Sequence, residues 1–183
     1  MQAFLTRHKT PAELLKRATA HATLEAAWTA WCAAGDPHGD LQWLCYKAWT
    51  RRQHVHASLR VLTDARQPTG LRVSDMAEAP ASRHALLALQ RFEHDNISEK
   101  ELLQALRAVP YTHMCFTPVL AAEYAIAYAC TAPDSVASAV YAVSLVEHPK
   151  ECDKRHEVQK KLHAEYAEWL ATMNPFNGNE LKA

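Results

Sequence analysis

Apolar and polar residues along most of this chain recur at intervals of three to four positions, which is typical of amphipathic helices. Two stretches are apolar nearly all round and rich in alanine. The first runs from Thr117 to just before Pro133, and the second from Asp134 or Ser135 to near Pro149. Helices of this kind are buried. No stretch alternates as a β-strand does. The pattern therefore predicts an all-α fold, a compact bundle of seven or eight helices with a buried Ala-rich helix pair.

Several helix starts have recognisable capping signals. Ser98 and Glu101 form a capping box, and the Thr10–Glu13 segment has the same pattern with a proline at the first helical position. The predicted helices cover approximately residues 11–20, 23–34, 40–65, 81–94, 98–109, 117–132, 134–149 and 150–173. We expect one helical domain over residues 1–175, with a surface excursion at 67–80 and a loose tail at 176–183.

The composition argues against several classes of protein. Lys plus Arg and Asp plus Glu are both 20, and the sequence pI of about 7.2 argues against a general polyanion binder. Glycine occurs only four times, so a glycine-rich phosphate loop is not expected. No apolar run is long enough for a membrane span, and the N-terminus lacks a signal-peptide core. The five widely spaced cysteines then suggest reduced thiols in the cytoplasm.

Two charged residues interrupt apolar helix faces. Arg52 falls in the middle of the apolar stripe of the predicted 40–65 helix, and Glu123 lies at the edge of the stripe of the first Ala-rich helix. Because an isolated buried charge is costly, we predict an Arg52–Glu123 ion pair. The alternative is that Arg52 extends its head to water and Glu123 faces solvent near a helix N-terminus.

Trp43 points away from the leucines of the same predicted helix, towards the side of its basic residues. Either the first half of this helix is buried on both sides, or Trp43 is partly exposed and anchors a partner, as aromatic residues beside basic ones often do. The second interpretation gives a candidate protein-binding surface on the outer side of the helix and the loop before it. Its residues are Trp43, Lys47, Arg51, His54, Asp36, His38 and Asp40.

Other kinds of functional site have weaker support in the sequence. Arg51, Arg52, His56 and Arg60 form a basic run that predicts either a nucleic-acid contact or a solvated face, and nucleic acid is the less favoured partner. A small-molecule or metal site would draw on Glu123, Cys152 and His156. No motif of a metal centre, catalytic nucleophile or phosphate loop occurs, so we predict no enzyme activity, no cofactor and no bound metal.

The segment LEAAWTAWCAAGDPHGDLQWLCYKA has an Ala-Trp pair, a cysteine, a Gly-Asp turn and a Trp-Leu run in that order. With RHALLALQRFEHDNISEKELLQALRA and AAEYAIAYAC, it resembles a set of Ala-rich helical bacterial proteins, some described as immunity proteins of toxin systems. The similarity covers residues 22 to 147 discontinuously, and the Gly-Asp turn is enlarged here by three residues. The resemblance implies a helical fold and toxin neutralisation by binding, and it brings no catalytic residues.

The sequence therefore predicts a cytoplasmic protein-binding inhibitory module of immunity or anti-defence type. It would act by covering the functional surface of a specific protein partner, and no membrane partner is expected. The alternatives are a nucleic-acid-associated helical protein using the basic run and a small-molecule or metal-binding helical domain. A homodimer sealed by the last helix is an alternative assembly.

Overall fold

The computed structural model describes residues 1–36, 38–63, 70, 72–111 and 117–177. These residues form ten α-helices and two short 3-10 helices, and none of them lies in a β-strand. The all-α prediction is confirmed. The predicted number of seven or eight helices is too low, because the sequence pattern misses an N-terminal helix and merges two others into one. Within the described ranges, no helix combines the length and the apolar character needed to cross a membrane.

The chain divides into two compact units. Unit 1 comprises residues 1–49 and 161–183, and unit 2 comprises residues 50–160. The organisation as one domain over 1–175 stays a prediction.

Unit 1 is built around a buried tryptophan. Its helices are α1 (Gln2–Arg7), α2 (Ala12–Thr19), α3 (Leu24–Ala33), α4 (Asp40–Ala48) and the last part of α10 (Cys152–Leu170), followed by a 3-10 helix at Ala171–Met173. Trp28 of α3 is fully buried, and its indole Nε1 donates to the carbonyl of Leu170 at 3.1 Å. The predicted tail is anchored at its start, because the Phe176 ring packs against the rings of Phe4 and Trp28. Residues 178–183 lie outside the described residues.

Unit 2 contains the buried Ala-rich pair. Its helices are α5 (Arg51–Thr63), α6 (Pro80–Glu93), α7 (Glu99–Arg107), α8 (Pro118–Ala127), α9 (Ala132–Glu147) and the first part of α10. Helices α8 and α9 pack closely against each other, and small residues such as Ala121, Ala125 and Ala139 are fully buried in them. The predicted burial of this Ala-rich pair is observed in unit 2, where alanine lets the two helix backbones approach closely.

Part of the predicted excursion at 67–80 is buried. Val73 and Met76 of a 3-10 helix (Val73–Met76) are buried, because this apolar segment packs against α5, α8 and α9. Gly70 and Arg72 are exposed, and residues 67–69 and 71 of the excursion lie outside the described residues.

The predicted helix at 40–65 is two helices. Trp49 has an extended backbone with ψ of 142°, which ends α4. Thr50 and Gln53 then cap α5: the Gln53 Oε1 accepts from the Thr50 backbone N–H at 2.8 Å, and the Thr50 Oγ1 accepts from the Gln53 N–H at 3.3 Å. This is a capping box in the same pattern as Ser98–Glu101, where both reciprocal hydrogen bonds are also present. The Thr10 capping box is wrong, because the Thr10 hydroxyl donates to Leu5 O.

We expect Thr50→Ala to lower the free energy of unfolding by about 1 kcal/mol, the usual cost of removing a helix cap. Urea denaturation followed by circular dichroism measures this loss. Thr50→Ser keeps the hydroxyl and is the matched control, which should stay close to wild type. Equal loss in both variants would show that the threonine methyl group, and not the cap, stabilises this position.

Candidate protein-binding surface

The surface predicted from Trp43, Lys47, Arg51 and His54 assumes one continuous helix, and that helix does not form. Trp43 and Lys47 lie on α4 in unit 1, whereas Arg51 and His54 lie on α5 in unit 2. The break at Trp49 interrupts the helical phase on which the prediction depends. The two groups therefore lie on separate helices in separate units.

Helix α4 has a buried side and an aromatic outer side. Leu41, Leu44 and Cys45 are buried, and α4 packs on α3. On the outer side Trp43 is half-buried, Tyr46 is 43% exposed, and Lys47 is exposed. The Lys47 Nζ lies 6.0 Å from the centre of the Trp43 ring, within the range of a cation–π interaction. We call Trp43, Tyr46 and Lys47 the α4 surface.

The loop before α4 orients this helix. Gly35 and Gly39 have φ of 71°, a left-handed conformation that costs glycine little. Asp36 also has a positive φ, and its Oδ1 accepts from the Leu41 N–H at 3.1 Å, which satisfies a free donor in the first turn of α4. Burial raises the pKa of Asp36, which is half-buried. Asp36 therefore acts mainly as a cap, whereas His38 is exposed beside the helix start.

Asp40 is not an exposed contact residue, which corrects the prediction. Only 2% of Asp40 is exposed, and its carboxylate accepts from Arg17 of α2 in a two-pronged ion pair, Nε to Oδ2 at 2.6 Å and Nη2 to Oδ1 at 2.7 Å. Paired hydrogen bonds of this kind fix geometry as well as charge. The first turn of α4 is thus joined to α2, so the helix presents its outer side from a fixed backbone.

His54 is also not an exposed contact residue. It is 6% exposed, and its Nδ1 accepts from the Ala132 N–H at 3.1 Å, at the start of α9. Burial, and secondarily the Arg51 charge, lower the pKa of His54 to about 4. One helical turn before it, Arg51 donates to the Cys130 carbonyl at 3.2 Å and to the Glu99 carboxylate at 3.1 Å. These side chains hold the α8–α9 turn and are structural.

The predicted Arg52–Glu123 ion pair is wrong. The Arg52 guanidinium lies on the surface and pairs with Asp95, because the buried side of α5 is centred on Val55, Ser58 and Leu62 and leaves Arg52 at its edge. Glu123 is 5% exposed, and its Oε1 accepts from the Ala79 N–H and the Ser82 hydroxyl, each at 3.3 Å. Glu123 therefore caps the start of α6 from the neighbouring helix α8.

The basic run on α5 is largely paired with carboxylates. Arg51 pairs with Glu99, Arg52 with Asp95, and the His56 Nδ1 lies 2.5 Å from the Glu93 Oε1. Arg60 is exposed. Pairing reduces the positive potential that nucleic-acid phosphates require. The structure therefore gives no support to the basic run as a nucleic-acid surface.

The residues suggested for a metal or small-molecule site do not gather in one place. Glu123 is buried on α8, whereas Cys152 and His156 are exposed at the start of α10, where the Cys152 Sγ lies 2.8 Å from the Arg155 Nη2. Across the described ranges, no three His, Cys, Asp or Glu side chains are arranged to hold a metal ion. Cys32, Cys45, Cys130 and Cys152 are free thiols.

Tyr46 is absent from the predicted contact residues, although its position three residues after Trp43 places both on one helix face. It is the most exposed aromatic side chain among the described residues. The α4 surface thus keeps Trp43 and Lys47 from the predicted set and adds Tyr46.

Comparison of the chain with protein-family models, with curated proteins and with solved structures finds no match. The likeness to immunity proteins therefore stays a prediction.

Proposed function

We propose that this protein is a protein-binding inhibitory module of immunity type that covers a functional surface of one partner protein. The α4 surface is the contact region. The observation that carries the proposal is the exposure of Tyr46 beside Trp43 and Lys47 on the outer side of one anchored helix.

The composition of the α4 surface suits protein binding. Tyrosine and tryptophan are enriched among the residues that contribute most to interface energy. Their rings offer a large contact area while only two side-chain torsions are fixed on binding. Lys47 lies near the Trp43 ring, and the Arg17–Asp40 ion pair fixes the first turn of α4. Because these contacts restrict motion before binding, less conformational entropy is lost when the partner binds.

The inhibitory part of the proposal is supported by the sequence resemblance. Its most distinctive points are a cysteine and a Gly-Asp turn, which are Cys32, Gly35 and Asp36 in this chain. Cys32 is buried in unit 1, and Asp36 caps α4. Residues shared in this resemblance thus help to position the helix that carries the proposed contact surface. The free thiols of the described cysteines are compatible with the cytoplasmic location expected for an immunity protein.

We expect Tyr46→Ala to weaken partner binding by about 10-fold or more, as for an interface residue of high energetic weight. Lys47→Glu should have a similar effect if the partner is acidic opposite it. The test is a tagged pull-down from cells of the source organism with mass spectrometry and 260 nm absorbance, followed by titration of the purified partner. Circular dichroism checks that each variant is folded.

Lys100→Glu is the matched control for Lys47→Glu, because Lys100 is an exposed lysine on α7 in unit 2. The proposal requires one stoichiometric protein that binds wild type and Lys100→Glu but not Tyr46→Ala. The partner's own activity must also fall when wild-type protein is added. Undiminished binding by Tyr46→Ala would exclude the α4 surface. Nucleic acid that leaves at high salt would favour the nucleic-acid alternative, and a second copy of the chain as sole partner would favour the homodimer.

A further inference from the structure

Three tyrosines of unit 2 form one aromatic cluster. Tyr124 lies in the last turn of α8, Tyr128 follows one helical turn later, and Tyr111 lies in the segment after α7. The rings of Tyr124 and Tyr128 are stacked, with their centres 4.4 Å apart. The Tyr111 ring packs edge-on against both, with its centre 5.6 Å from that of Tyr124 and 5.2 Å from that of Tyr128. We call these residues the tyrosine cluster.

Two hydroxyl groups of the tyrosine cluster meet. The hydroxyl oxygens of Tyr111 and Tyr128 are 3.2 Å apart, and either group can be the hydrogen-bond donor. This contact is the main reason that the pKa of Tyr128 is raised to about 12, so the Tyr128 phenol keeps its proton at neutral pH. All three tyrosines are half-buried. The cluster therefore belongs to the surface of unit 2 and can be reached by a reagent in solution.

The position of the two hydroxyls matters because oxidised phenols couple at the ring carbon next to the hydroxyl-bearing carbon. In the product, the two hydroxyls flank the new carbon–carbon bond and lie beside each other. Tyr111 and Tyr128 already hold their hydroxyls side by side, with ring centres only 5.2 Å apart. The fold thus brings the reacting carbons together before any reaction begins.

We propose that Tyr111 and Tyr128 are the site of an oxidative tyrosine–tyrosine cross-link, formed by hydrogen peroxide that a haem peroxidase activates. Each phenol loses one electron and its hydroxyl proton, and the two ring carbons then join. The protons on these carbons leave, and two protons return to the oxygens, so both phenols are restored. In total, two carbon–hydrogen bonds break, one carbon–carbon bond forms, and one hydrogen peroxide is reduced to two waters.

The cross-link would lock part of unit 2. It joins residues 17 positions apart and ties the segment after α7 to the end of α8. A covalent bond that closes a loop of this length restricts the unfolded chain, as a disulfide does. The modified protein should therefore unfold at a higher urea concentration than the unmodified protein.

The test is oxidation of the dilute, purified full chain by a haem peroxidase and hydrogen peroxide, at a dose that cross-links free tyrosine. Proteolytic cleavage after Glu123 then separates Tyr111 from Tyr128. Mass spectrometry should show two joined peptides with two hydrogens fewer than their sum. Tyr111→Phe and Tyr128→Phe keep the rings and should each lower the yield at least tenfold. Tyr141→Phe, a half-buried tyrosine on α9, is the matched control and should leave the yield unchanged.

Oxidation in urea tests whether the fold brings the two tyrosines together. The Tyr111–Tyr128 product should fall at least tenfold there, because the unfolded chain no longer holds the hydroxyls side by side. The inference is overturned if no joined peptides form, if Tyr128 couples to Tyr124 or to a second copy instead, or if the yield survives in either phenylalanine variant or in urea. An unchanged urea midpoint of the cross-linked protein would overturn the lock. No partner protein takes part, so this result is independent of the test of the α4 surface.

Discussion

Replacing Trp28 with alanine is expected to lower the free energy of unfolding of unit 1 by about 3–5 kcal/mol, the range observed for removal of a large buried aromatic side chain. Trp28 exposes no surface, and its ring lies 6.0 Å from that of Trp49 and 6.3 Å from that of Phe176, measured between centres. Its removal leaves a cavity between these rings. Urea denaturation measures the loss.

The indole N–H makes a separate contribution. It donates to the carbonyl of Leu170, the last residue of α10. Trp28→Phe keeps an aromatic ring but removes this buried hydrogen bond and part of the buried ring volume, at a cost of about 1–3 kcal/mol. The phenylalanine variant is therefore expected to be intermediate and remains measurable if the alanine variant does not fold.

Trp43→Phe is the matched control, because it makes the same chemical change on the half-buried outer side of α4. Its effect should stay below about 1 kcal/mol. If Trp28→Phe and Trp43→Phe lower the free energy of unfolding equally, the Trp28–Leu170 hydrogen bond contributes nothing measurable to stability.

The correctly predicted parts of the fold depend on local sequence. The Ser98–Glu101 capping box is formed by two side chains three positions apart, so the pattern contains both partners. The burial of α8 and α9 follows from their lack of a polar face. The break at Trp49 had a local signal too, since Thr50 and Gln53 match the capping-box pattern. The apolar spacing continues across the break, however, and conceals it.

The candidate site was only partly predictable, because the sequence pattern reveals local partners of a side chain but not remote ones. The phase of Leu41, Leu44 and Cys45 is enough to place Trp43 and Lys47 on the opposite side of α4. Asp40 and His54 were misplaced because their partners are distant in sequence: Arg17 is 23 residues from Asp40, and the Ala132 N–H is 78 residues from His54. A polar side chain with a remote buried partner is indistinguishable, in the sequence, from one that faces water.

His54 is expected to make the stability of unit 2 depend on pH. Its pKa is about 4 in the folded protein, against an ordinary histidine value of 6.5. The unfolded chain therefore binds the proton more tightly, so stability falls as pH decreases through this interval. The full contribution is present above about pH 7. On the order of 3 kcal/mol is lost by pH 4, below which the loss from this group levels off.

The structural reason is the direction of one hydrogen bond. The Nδ1 of His54 accepts from the Ala132 N–H, so it must be unprotonated. A proton on this nitrogen removes the acceptor and places a second positive charge beside Arg51, whose charge already lowers the pKa of His54. Protonation thus opposes the contact between α5 and the start of α9.

His54→Asn tests this account, because the asparagine amide oxygen replaces the Nδ1 acceptor and does not titrate in this range. Urea denaturation between pH 7.5 and pH 4.5 should show a clearly smaller loss of stability in His54→Asn than in wild type. His84→Asn removes an exposed histidine from α6 in the same unit and serves as the control, with the pH dependence of wild type. The lowered pKa of half-buried His163, in unit 1, contributes equally in all three proteins. Identical pH dependence in wild type and His54→Asn would mean that His54 is not the group whose protonation loosens the α8–α9 turn.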